Sequence, residues 1–358
     1  MPEAKTMPDR PFLPLELVFN PHWWYQTAGI RFDRSFYLDP PTRIQNDVGM
    51  RRVLHERFGA LGLGETDPQP RPIIGSLHVA GGYVIPALLG AEIWFADDAA
   101  PQPLPVHLSK EQLERLEKPD FRHTWPMNEL IAQMDALENE WGYVVGDLNT
   151  DGLLNAAYHL YGADLFTDFY EAPRRVQHVL EVISSLIVDV AGYIRQCTGS
   201  SSISVNRMLE RVDPQIFLHA NCSVPMISPA SYRAMQLPFE QRMADHLRPF
   251  GIHHCGDNLQ RYASAYAELE PVFVDVGWGS DVSACRAALP DTFLNLRLSP
   301  VRMLTCTPQE IAGDTESLLR AAGPLDLAGV CCINMDYGTP DENLFAMFEV
   351  IERFRADA

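Results

Sequence analysis

The chain predicts a parallel (β/α)8 barrel on three observations. From residue 141 onward, short apolar runs alternate with helical patterns: WGYVVGD, SISVN, PQIFLHANC, GIHHCG, VFVDVG, TFLNLRL and GVCCINM are each followed by helical or loop sequence, the signature of βαβ units and a parallel sheet. No domain-sized interruption separates these strand signals, which favours a closed barrel over an open doubly wound sheet. No G-x-G-x-x-G follows the first strand and no Walker loop occurs, so a nucleotide-binding Rossmann reading has no support.

Taken in order, residues 1–12 read as a flexible N-terminal arm and residues 13–358 as one barrel domain. LPLELVFN is a short strand with PHWWYQTAG at its mouth. TRIQNDVGMRRVLHERFG is a helix ending at Gly59, and LGLGETDPQPRP is a loop with turn chemistry. YVIPALLGAEIWFADD mixes helix and strand, and LSKEQLERLEKPDF opens on a Ser cap and stops at Pro119. After WGYVVGD, helical periodicity persists for some forty residues with a break at Pro173. SPASYRAMQLPFEQRMADHLRPF carries a Ser228 cap with Pro229 at the first helical position.

The formal net charge of -19, with 28 basic residues and no basic run, would repel a phosphate backbone and argues against nucleic acid as a partner. Seven cysteines in a long chain fit a reducing compartment better than a disulfide scaffold. No targeting segment is recognisable at the N-terminus, and the most apolar stretches are too short or too charged to span a bilayer. The expectation is a cytoplasmic enzyme that does not bind membranes, with a homodimer as an open alternative to a monomer.

In such a barrel the reactive face is the C-terminal end of the strands. The polar residues closing the predicted strands are therefore the candidates: Asp147, Asn206, Asn221 with Cys222, His253 to Cys255, Asp275, Asn295 with Arg297, and the Cys331–Cys332 pair. His253 and Cys255 are two apart, so on a strand they share a face. One imidazole and one thiolate would converge there, and a second thiolate from the last strand would complete a His-Cys-Cys set suited to Zn²⁺. Cys332, nearer the loop, is the preferred donor, with Cys331 packed between sheet and helix. Three protein donors leave one position open, as in a catalytic zinc site. An isolated H-x-C is more often packed and hydrogen-bonded than metal-bound; with the cysteine pair added, both readings stay open.

Two segments carry a family resemblance: HHCGDN, and CCINMDYGTPDENLFAMFEVI near the C-terminal end. With PMISPASYRAMQLPFEQRMADHLR before the first and GDLNTDGLLNAAYHLYGADLFTDFYEAPRRVQHVL further upstream, the chain resembles the uroporphyrinogen decarboxylase superfamily over residues 13–355. Within it, the chain is most similar to the zinc-dependent, corrinoid-linked methyltransferases such as the methylcobamide:coenzyme M methyltransferases. The resemblance implies methyl transfer between a small substrate and the cobalt of a corrinoid, with Zn²⁺ activating the heteroatom that gives or takes the methyl group. No D-x-H-x-x-G signature occurs, so the corrinoid is expected on a separate corrinoid-binding protein. The decarboxylases' N-terminal V-W-x-M-R-Q-A-G-R stretch is replaced by HWWYQTAGI, with Tyr25, Gln26 and Ile30 where Met and two arginines would stand. A porphyrinogen rich in carboxylates would lose its cationic clamps.

Further candidates carry two readings each. Asp257 could orient an imidazole, exchange a proton or simply turn the loop. Asp147 and Asp275 could act as bases or as salt-bridge anchors. Cys222 is a second-choice ligand or substrate contact, competing with core burial, and His219 lies on the same strand. Asn206, Asn221, Asn295 and Arg297 could address a carboxylate or corrinoid amides. Trp23, Trp24, Tyr25, Trp278 and Tyr337 could wall a flat apolar pocket, suiting an aromatic methyl ether or a methylated amine or thiol; Tyr337 is also a catalytic candidate, and Asp275 and Trp278 are candidate cofactor contacts. Against methyl transfer stand a decarboxylase or lyase of the same fold acting on a small non-porphyrin substrate, a hydrolytic zinc enzyme, and a non-catalytic binding protein on a degenerate barrel. Direction of transfer, donor and acceptor are not fixed by the sequence.

Overall fold

The computed structural model of the chain describes residues 12–75, 82–201 and 213–357. The first strand, β1 (Leu15–Phe19), is followed by β2 (Ile73–Gly75), a small antiparallel pair β3 (Ile93–Trp94) and β4 (Gln102–Pro103), and β5 (Val145–Asp147). Then come β6 (Phe217–Asn221), β7 (Phe250–His254), β8 (Phe273–Val276), β9 (Phe293–Arg297) and β10 (Ala328–Met335). Strands β6 to β10 and β1 form one sheet ordered β1-β10-β9-β8-β7-β6, parallel throughout, and β2 pairs with β5, also in parallel. Each of the last four strands lies beside its predecessor, and β10 then returns to pair with β1. The sheet thus curls so that the last strand meets the first, as in a (β/α)8 barrel, and the expected fold class is met.

Some expected elements change. β2 has only three residues behind a loop with three prolines, too short to show an alternating pattern. SISVN, with its candidate Asn206, lies outside the described residues, as do residues 1–11 of the expected arm. The forty-residue helical stretch divides twice, into Leu153–Tyr161, Asp164–Glu171 and Pro173–Thr198. Gly162, at φ 69, makes the first break, and Pro173 opens the last helix at its first turn, where a missing N–H costs nothing. By length and composition Pro173–Thr198 could cross a membrane. Its buried residues Val176, Val179, Leu180, Ile183, Ile187, Val190 and Ile194 recur at three and four, the spacing of a helix with one face on a protein core.

Strand parity builds the interior in rows. Leu218, Gly251, Phe273 and Phe293 are mutually in register. Leu218 and the two phenylalanines join Ile216 in an apolar cluster separate from the main core, which is the floor of the barrel lumen. Two residues further along the strands, Ala220, His253, Asp275, Asn295 and Gly329 form the next row. A side chain on Gly329 would collide with Phe293 and Asn295, so β10 passes close to that row only because this residue is glycine. The following row continues with Cys222 and Cys255 just past their strands, then Arg297, Cys331 and Glu16. The opposite parity, including Phe217, His219, Asn221, Phe250, Ile252 and His254, turns toward the surrounding helices.

Candidate metal centre

Phe250–His254 ends its strand with His253 on the lumen side, and Cys255 follows on the same face in the first loop residue. Adjacent in the sheet, β6 ends at Asn221, in register with His254, so Cys222 comes level with Cys255. The donor atoms of Cys222, His253 and Cys255 lie within 4.8 Å of one another. Glycine at 277 permits this crowding: a Cβ there would lie 1.9 Å from the Gly256 carbonyl oxygen, so the loops after β7 and β8 pass in backbone contact beside Cys255.

The imidazole is held from behind. Nδ1 of His253 donates to Oδ2 of Asp275 at 2.7 Å, leaving Nε2 facing Cys255 Sγ at 3.0 Å. Nδ2 of Asn295 reaches Asp275 Oδ1 at 2.9 Å and Glu16 Oε2 at 3.2 Å, so four strands contribute to one buried polar chain. Hydrogen bonding from Cys222 holds the Cys255 thiol well below its usual value despite burial, with the charges of His253 and Arg297 adding to the effect. The same contact, with burial, pushes Cys222 well up. Burial works against an imidazolium at His253, but the Cys255 and Asp275 charges outweigh it and raise its affinity for a proton. Two sulfurs, of which Cys255 is the more readily ionised, and an imidazole oriented by Asp275 therefore meet in a mostly buried lumen. These are nitrogen and sulfur donors of the type zinc takes, and the carboxylate behind the histidine is the usual support of a zinc-binding imidazole.

The expected third donor is corrected. Cys331, and not Cys332, faces the lumen: it is in register with Arg297 on one side and Glu16 on the other, while Cys332 pairs with Leu17. Cys332 is fully buried on the helix side, and burial pushes its thiol up to about 12, with Arg297 offsetting only part. Neither cysteine belongs to the three-donor group. β10 is three strands from β7, with roughly 4.8 Å between neighbours, and Arg297 stands on β9, one of the two strands between. β6 is next to β7, which is why Cys222 takes the place expected of the last strand.

Other candidates separate by face. Asp275, Asn295 and Arg297 are in the lumen, with Nη1 of Arg297 3.7 Å from Cys255 Sγ. Asn221 faces the helices instead: Gln236 Nε2 donates to its Oδ1 at 3.0 Å, and its Nδ2 lies 3.4 Å from Glu240 Oε2. It is therefore removed from the cofactor-contacting set. Asp147 accepts from Ser200 Oγ at 2.9 Å and from the Leu148 amide at 2.7 Å, an anchoring arrangement outside the donor group. Asp257 is exposed on the loop after Cys255. Trp278 and Tyr337 are exposed on loops after β8 and β10, on the rim. Trp23 and Trp24 are buried in the main core, packed against Phe19, so neither walls a pocket.

Two features were not anticipated. Glu16 joins the lumen chain; an acid between Leu15 and Leu17 in a strand was the available signal. Behind β6, Tyr232, Gln236 and Glu240 project at four-residue intervals from a helix that passes through a π-turn at Tyr232–Gln236. Tyr232 and Gln236 donate to the fully buried Glu240, and His219 Nε2 lies 3.3 Å from it. Burial opposes the Glu240 charge, but His219, Tyr232 and Gln236 more than compensate and keep its carboxyl below the usual range.

Residues 80–354 match the uroporphyrinogen decarboxylase (URO-D) family, and the chain belongs to that family. Among solved structures it is similar to a methyltransferase from Methanosarcina mazei, with 15% identity, TM-score 0.66, and coverage of 98% of this chain and 95% of that one. At that identity the likeness speaks for the fold. A B12-independent methionine synthase from Shewanella sp. W3-18-1 aligns with 10% identity, TM-score 0.48, and coverage of 97% and 98%, a likeness too weak to argue from. No curated protein matches the chain.

Proposed function

We propose that this chain is a zinc-dependent methyltransferase that moves a methyl group between a small substrate and the cobalt of a corrinoid carried by a separate protein. The observation that carries the reading is the convergence of Cys222, His253 and Cys255 within 4.8 Å at the open end of a barrel of this family. When bound, Zn²⁺ supplies Lewis acidity that stabilises the anionic form of the heteroatom giving or taking the methyl group. The protein's part is positional. Asp275 fixes the His253 tautomer so that Nε2 is the donor nitrogen. Arg297 places a permanent positive charge beside Cys255 and favours its thiolate. The apolar floor of Ile216, Leu218, Phe273 and Phe293 closes the lumen from below and keeps water from that side.

The decarboxylase reading of the family has less support. Ile30, where a cationic clamp would be expected, is buried and apolar, and the lumen carries Glu16 and Asp275, which would repel a polycarboxylate. Metal analysis of purified protein tests the proposal first: zinc near one equivalent, lost in His253→Ala and Cys255→Ala, is expected. Ultraviolet-visible assay of cob(I)alamin methylation against a panel of methylated ethers, amines and thiols tests it second. Protein that binds no zinc and methylates no cob(I)alamin across the panel would refute it.

A further inference from the structure

Arg297 is the last residue of β9, faces the lumen and is only 5% exposed. Its Nη1 is directed at Cys255 Sγ, 3.7 Å away. Its Nε is buried without an acceptor, and no hydrogen bond reaches Nη2 either, among the described residues. The nearby carboxylate of Asp275 already accepts from His253 and Asn295. A guanidinium cannot shed its charge, and a buried N–H left unmet is costly. The Cys255 contact thus accounts for one edge of the group and leaves the other unused. Nε and Nη2 together form the planar two-donor fork that matches the two oxygens of a carboxylate.

We propose that the Nε–Nη2 edge of Arg297 anchors a substrate carboxylate, making the substrate of this site a small carboxylic acid with its reacting heteroatom on the same short chain. The proposal rests on the methyl-transfer reading for the identity of the reacting group, but the anchor itself does not need the metal. A singly charged carboxylate fits better than a phosphate, because Glu16 and Asp275 share the lumen and a second negative charge would be repelled. The carboxylate would take the edge of the guanidinium that the Cys255 contact leaves unused.

The test is calorimetric titration of zinc-loaded protein with 3-mercaptopropionate and with its neutral counterpart 3-mercapto-1-propanol. Wild type is expected to prefer the acid at least tenfold. Arg297→Gln should abolish the preference, and Arg297→Lys should keep part of it, since a point charge replaces the fork. A preference that survives in Arg297→Gln overturns the proposal. So does an equal weakening of both ligands, which would confine Arg297 to supporting Cys255. Butyrate against 1-butanol on metal-free protein separates the two readings: a preference there, lost in Arg297→Gln, upholds the anchor even where zinc binding and methyl transfer fail. No preference in either form of the wild type overturns it. Circular dichroism of both variants establishes that they are folded, and Arg297→Lys carries the comparison should Arg297→Gln not fold.

Discussion

Replacing Asp275 by Asn removes one charge while keeping the shape of a side chain that sits between two donors. In the native lumen each carboxylate oxygen has its own partner, His253 Nδ1–H at 2.7 Å and Asn295 Nδ2 at 2.9 Å. An amide offers one oxygen and one NH2 group to those same two donors, so at least one of them faces a donor in place of an acceptor. If the imidazole loses its partner, Nδ1–H no longer fixes the ring, and Nε2 is no longer set as the donor nitrogen. Loss of such a support typically weakens metal affinity by about 10 to 100-fold, or ~1.4–2.7 kcal/mol. Competition for zinc with a chromophoric chelator near neutral pH measures this directly, and Asp275→Asn should fall in that range while Cys255→Ala loses binding altogether. Unchanged zinc affinity in Asp275→Asn would refute the reasoning, because His253 would then hold the metal without help from β8.

Thiol chemistry should sort the cysteines: in metal-free protein at neutral pH, Cys255 should react with iodoacetamide while Cys332 and Cys285, each pushed up to about 12 mainly by burial, react about a thousandfold more slowly. Zinc should protect Cys255, and peptide mapping by mass spectrometry reads both effects; Cys332 labelled as fast as Cys255 would contradict the assignment of faces. Glu240→Ala removes the acceptor shared by Tyr232 and Gln236 and the charge facing His219, and should lower stability by about 3–5 kcal/mol in denaturant titration. Glu240→Gln should cost clearly less, and equal losses would show that the charge itself is what the cluster needs. Gly277→Ala puts a methyl group 1.9 Å from the Gly256 carbonyl; backbone must shift, costing roughly 1–3 kcal/mol and weakening zinc binding through Cys255. Wild-type zinc affinity in this variant would show that the loop crossing does not position the thiol.

The alternation of strand and helix after residue 141 made the barrel legible, since most of the strands from β6 on and the helices between them are long enough to show their own period. The same regularity made His253 and Cys255 legible as a pair, because side chains two apart on a strand share a face whatever the register. Which face that is, and which neighbour it meets, is set by pairing. On β6, Phe217, His219 and Asn221 and the alternate set Leu218, Ala220 and Cys222 both look fit for either side. Their assignment follows from Leu218 lying in register with Gly251 and Phe273, contacts no local pattern contains. At Cys331 and Cys332 the difficulty was the position of the strand end. β10 runs on to Met335, with Asn334 at φ 67, so the pair sits in mid-strand and its parity is fixed by Leu17 and Arg297.

The position of Arg297 also explains why the donor set closes toward β6. The lumen row that holds Cys255 continues through Arg297 to Cys331 and Glu16. A metal drawn toward Cys331 would therefore have to approach a guanidinium that carries its charge permanently and already contacts Cys255. Like charge disfavours that side. On the β6 side the neighbour is the Cys222 thiol, hydrogen-bonded to Cys255, whose proton would leave to solvent as a metal took its place. Arg297 thus separates a sulfur-rich part of the row, Cys222 and Cys255, from a part that holds Cys331 and Glu16.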